Sequence, residues 1–150
     1  MKKLKNIALA GTLICLLFTD CRIKLLPDRD TALAKQIELT GKMIDSLYLN
    51  IAEETVAEER TYKKYAKGYN AVEVELNSIL LKNKVKALNK DAEKIAENSV
   101  TLWSRYKSKH QADNRISNAD IKLNRVFMRD QVLNMLLGEK YKPEENENEN

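Results

Sequence analysis

Glycine and proline are nearly missing from this 150-residue chain, which holds only Gly11, Gly41, Gly68, Gly138, Pro27 and Pro143. A sheet protein needs turn residues about every ten positions, so their scarcity argues against strands and for an all-α fold with no sheet. Cysteine is almost as scarce, at Cys15 and Cys21, and His110 is the only histidine. That excludes a zinc site of the usual Cys/His type and a histidine-based catalytic pair. Neither a glycine-rich phosphate loop nor a G-x-S-x-G turn occurs, so no enzymatic constellation is legible and a non-enzymatic protein without a cofactor is expected. Charge of one sign is also lacking. Formal net charge is +4, and the first 20 residues contribute three lysines against one aspartate, leaving +2 without them. Nucleic acid is therefore not an expected partner, since that would want a concentrated basic face.

A long hydrophobic run is absent as well. The longest, Ile7 to Phe18, is about a dozen residues, short for the roughly 30 Å of hydrocarbon in a bilayer. Lys2, Lys3 and Lys5 precede it and Arg22, Lys24 and Asp28 follow, which is the anatomy of an export signal over residues 1 to 20. A permanent spanning anchor is the competing reading. The only small-residue pair suited to ordinary cleavage, Ala8 and Ala10, falls inside the run, so Cys21 marks the better boundary. It would be the single cysteine of the mature chain, with no intrachain disulfide possible.

The segment Leu16-Leu17-Phe18-Thr19-Asp20-Cys21 resembles a bacterial lipoprotein signal, with Phe18 where leucine is common and Asp20 where a small residue is common. The leader and the Asn/Glu tail are similar to those of small surface lipoproteins of Lyme-type spirochaetes. That resemblance implies a covalent lipid on Cys21, attachment to a membrane through it, and a place in the cell envelope, at the outer membrane. Several acyl chains make such an anchor durable, because each buried methylene adds about 0.8 kcal/mol.

Past a linker over residues 21 to 29, apolar residues recur at helical spacing through residues 30 to 138. Asp30 is a good N-cap. The stripe Leu33, Ile37, Ile44, Leu47 and Ile51 continues through Tyr48, Ala52, Thr55, Tyr62, Ala66 and Tyr69, predicting one helix to Lys67. Gly68 and Asn70 predict the first turn. A second helix follows, with a coiled-coil-like seam of Leu81, Val85, Leu88, Ala92, Ile95, Ser99, Leu102 and Tyr106 and with Trp103 beside it, ending by Asp113-Asn114. Ser117-x-x-Asp120 caps a third, which closes at Gly138. The expectation is a three-helix bundle: a long antiparallel hairpin, about 36 to 40 residues and 55 to 60 Å per arm, with a shorter third helix along it. Residues 139 to 150, rich in Glu and Asn, read as a disordered tail.

Folding about residue 68 would place Glu53, Glu54, Glu58 and Glu59 opposite Lys82, Lys84 and Lys86, neutralising the lysine run Lys82-Lys86-Lys90-Lys94. It would also gather Arg22, Lys24, Arg29, Arg105, Lys107, Lys109 and Arg115 into a membrane-proximal basic end. Lys63, Lys64, Tyr65 and Lys67 at the far tip, with Lys90 and Lys94, form the candidate surface for a protein or polyanionic ligand. The third helix is apolar on two sides. Ala119, Leu123, Val126, Leu133 and Leu137 make one stripe, which reads as the inward face packed on the hairpin, and Ile121, Met128, Val132 and Met135 make the second. Either the helix lies deep in the groove and buries most of its circumference, or isolated methionines are simply exposed, or the second stripe is a candidate partner or self-association seam. Two functions stay open: a surface lipoprotein that binds a host or environmental ligand, and an inward-facing assembly lipoprotein that works through helix-helix contacts.

Overall fold

A computed structural model describes residues 26–144. They form four α-helices and no strand: α1 (Thr31–Glu53), α2 (Tyr62–Val85), α3 (Lys90–Asp113) and α4 (Asn118–Lys140), with a 3₁₀ turn at Ala57–Glu59. The leader, Cys21, Arg22, Lys24 and the tail from residue 145 lie outside the described residues. Each helix packs against its neighbours in chain order, and α4 closes the ring against α1. Neighbours run antiparallel, since Asp30 at the start of α1 meets both Lys86 just past α2 and Glu139 near the end of α4. The result is an up-and-down four-helix bundle in which α1 lies diagonal to α3, and α2 to α4. At 1.5 Å per residue it is about 35 Å long.

The expected three-helix bundle is corrected at two places. Its first helix breaks at residues 54–61, where neither glycine nor proline stands. Glu53 and Glu54 put acidic charge at a helix C-terminus, where the macrodipole disfavours it, and β-branched Thr55 and Val56 follow. What settles the break is tertiary: the buried Arg60 guanidinium donates to the Glu54 carbonyl from Nε at 2.7 Å and to the Ile116 carbonyl from Nη1 at 3.2 Å. One side chain thereby caps the end of α1 and ties the α1–α2 connection to the α3–α4 turn. The expected second helix breaks at residues 86–89, inside the lysine run. Leu88 adopts a left-handed φ of 58°, and the buried Asn89 amide donates to the Asn83 side-chain oxygen at 2.7 Å.

Gly68, expected in a turn, lies within α2 instead. A Cβ there would approach Leu47 Cδ1 of α1 to 2.6 Å, so Gly68 sits where α2 packs closely on α1 and a side chain would make Leu47 shift. The expected caps of α1 and of the last helix are present: Asp30 Oδ1 accepts from the Leu33 amide at 2.8 Å, and Ser117 Oγ accepts from the Asp120 amide at 3.0 Å. The tail does not begin at residue 139. Glu139 and Lys142 are a buried ion pair, Glu139 also accepts from the Asp30 amide at 3.1 Å, and the Arg29 amide donates to the Pro143 carbonyl at 2.8 Å. The end of α4 therefore clasps the start of α1. No helix among the described residues is long and apolar enough to cross a membrane.

Candidate functional site

Four helices with two ends and four outer faces leave three places where chemistry could collect. The end remote from residue 26 holds an aromatic cluster. Trp103 donates from Nε1 to the Tyr69 carbonyl at 3.2 Å, and the Tyr48, Tyr62 and His110 rings pack edge-on or tilted around Tyr69 and Trp103, with ring centres 5.3 to 6.5 Å apart. His110 Nε2 lies 2.7 Å from the Arg60 carbonyl and Nδ1 lies 3.0 Å from the Tyr69 hydroxyl. That pattern suits a neutral imidazole that donates through Nε2 and accepts through Nδ1. Burial holds its pKa below the ordinary 6.5, against the opposing pull of the Arg60 carbonyl and Asp113. With its ring nitrogens engaged and its surface buried, His110 holds the bundle end together. No group of three or more His, Cys, Asp or Glu among the described residues is placed to hold a metal ion.

The basic end expected next to residue 26 does not assemble. Arg29 stands there, but the break at residues 86–89 sends α3 up again, so Arg105, Lys107, Lys109 and Arg115 fall toward the opposite end. Lys107 is tied to Glu73 at 2.6 Å, Lys109 to Asp113 at 2.6 Å and Arg115 to Glu58 at 3.8 Å. The acidic run at residues 53 to 59 likewise stands a helix length from Lys82, Lys84 and Lys86. Lys86 pairs with Asp30 at 2.8 Å, and its hydrogen bond holds the Asp30 carboxyl below the usual range.

The candidate ligand set is also divided. Lys63, Lys64, Tyr65 and Lys67 open α2 at the remote end, whereas Lys90 and Lys94 open α3 at the other and pair with Glu93 and Glu97. Within the first group Lys64 is bound to Glu54 and Tyr65 packs partly buried on the core beside His110. Lys63 and Lys67 remain exposed, with no acidic partner among the described residues.

The third place is the outside of α4, where the sequence expectation inverts. Ile121, Met128, Val132 and Met135 are buried, Met128 completely, and belong to the core rather than to a seam. Arg125, beside that face, is held by Asp45 of α1 at 2.7 Å. The stripe read as inward, with Leu123 and Leu133 both 52 % exposed, points to solvent. A comparable stripe lies outside α2, where Val74 is 66 %, Leu81 64 % and Val85 78 % exposed. Leu81, Val85 and Leu88 thus leave the expected coiled-coil seam, while Ser99, Trp103 and Tyr106 keep their buried places. Arg60 and Asn89, which fix both unexpected turns, were missed; their only sequence signal is a polar residue at a position that helical spacing would leave solvated.

The chain matches no family model, no curated protein and no solved structure.

Proposed function

We propose that this is an exported, lipid-anchored, non-enzymatic protein of the cell envelope that works through helix-helix contacts. The observation that carries the reading is the pair of outward apolar stripes on α2 and α4, on a bundle whose own core is already complete without them. Rows of exposed large apolar residues on one helix face mark an interaction surface. The anchor rests on the leader and on Cys21. An anchor at residue 21 would join the bundle at the end where α1 begins, about nine residues away, leaving the long outer faces free to meet a neighbour.

Cys21→Ala should abolish fatty-acid labelling and release the protein to soluble fractions; an unlabelled wild type ends the lipoprotein reading. Protease treatment of intact cells then assigns the membrane face: protection supports an inward-facing assembly protein, and digestion supports display at the surface of the outer membrane. The second reading, binding of a polyanionic or protein ligand at the surface, is favoured by Lys63 and Lys67, free of acidic partners at the end farthest from residue 26.

A further inference from the structure

On the outside of α4 the spacing is stricter than burial requires. Ala119, Leu123, Val126, Asp130, Leu133 and Leu137 step by four and three in alternation, the repeat of a coiled-coil seam, on the face opposite Met128. Phe127, 44 % exposed, lies at its edge. The seam runs about 27 Å at 1.5 Å per residue.

We propose that this face pairs with the same face of a second copy of the chain, the two α4 helices antiparallel about a two-fold axis near residue 128. This deepens the helix-contact reading and rests on it. Three observations select the occupant. First, an antiparallel register centred at residue 128 uses all six seam positions: 119 meets 137, 123 meets 133 and 126 meets 130, each pair twice, as a two-fold interface requires. Second, Asp130 is the one charged residue in the seam and has no ion pair or hydrogen bond among the described residues. A parallel pair would set Asp130 against Asp130 in an apolar seam. The antiparallel one brings each within reach of Arg129 of the second copy, whose one ion-pair partner among the described residues of its own subunit is Asp45 at 4.0 Å. A single polar seam residue of this kind sets register and orientation. Third, the outer face of α2 does not complement itself. Its flanking charges with no ion pair or hydrogen bond among the described residues are Lys63, Lys67 and Lys84, while Lys82 and Glu75 are both engaged by Gln36 and Glu73 by Lys107.

The test is thiol cross-linking in full-length chains, in their own membrane, with a short bifunctional reagent; the unsubstituted chain controls for links through Cys15 or Cys21. Val126→Cys stands near the axis and should link efficiently, whereas Ala119→Cys, on opposite ends of the two seams, should not link to itself. Leu133→Glu added to Val126→Cys should cut the linked yield at least about tenfold. All three positions are exposed, and unchanged helicity confirms the fold. Equal linking by Ala119→Cys and Val126→Cys would show parallel pairing and overturn the proposal. Linking through Leu81→Cys on α2, with none through Val126→Cys, would overturn it while leaving the helix-contact reading standing; no linking at any of the three positions would overturn pairing between copies altogether.

Discussion

α1 and α3 turn one apolar face inward and a wet face outward. Outside α1 stand Lys35, Glu38, Lys42, Ser46 and Glu53, with Leu39 and Leu49 as isolated exceptions, and outside α3 stand Lys94, Glu97, Thr101, Ser104, Arg105 and Ser108. Their diagonal counterparts, α2 and α4, carry apolar residues on both faces. A helix with one apolar stripe has one way to lie on a core, and its sequence says which. A helix with two stripes has two, and the choice falls to its neighbours. In α4 the winning face includes buried Asn124 and Glu139 beside its methionines, while the more regular Leu and Val stripe is left outside.

Charge on the two faces of α4 should separate them most widely. Met128→Glu places a carboxylate at a fully buried position and should cost more than about 4 kcal/mol or prevent folding, as denaturant titration would show. If it folded normally, the assignment of faces would fail. The loop side of the comparison turns on Arg60, which serves α1 and the α3–α4 turn together. Arg60→Met leaves the Glu54 and Ile116 carbonyls without their donor and should cost about 3 kcal/mol, with Arg60→Lys recovering part, since an ammonium cannot reproduce the guanidinium fork.

A gentler probe is pH. Because the folded His110 has its pKa below the ordinary 6.5, the unfolded chain binds the proton more readily. Its contribution to stability is complete above about pH 6.5 and is lost as pH falls from there toward the lower folded value. Denaturation midpoints should decline between pH 7.5 and pH 5.5, and His110→Gln should flatten that part of the profile; an equal slope in both proteins would assign the decline to other groups. The smallest effect belongs to the outer stripe. Leu133→Glu should change the stability of a single bundle by no more than about 0.5 kcal/mol in the same titration that condemns Met128→Glu. A larger loss would mean that this face is structural within one chain.

From the sequence alone follow the helical class, the inward stripe of α1 from Leu33 to Ile51, the capped starts at Asp30 and Ser117, and the fact that the last helix has two apolar faces. Each is local: a periodicity, a cap or a composition that acts within a turn or two of helix. The tertiary structure decided the first of the two extra breaks, where Arg60 reaches the carbonyl of Ile116; the second, where Asn89 reaches Asn83, is local but rests on a side-chain contact that apolar spacing does not encode. The tertiary structure also decided that Gly68 lies inside α2, packed against Leu47 of α1, and not in a turn. Finally, it chose Met128 over Leu133 for the core. Hydrophobicity has no direction, so when a helix offers two apolar faces, only the shape left between α1 and α3 selects the one that is buried.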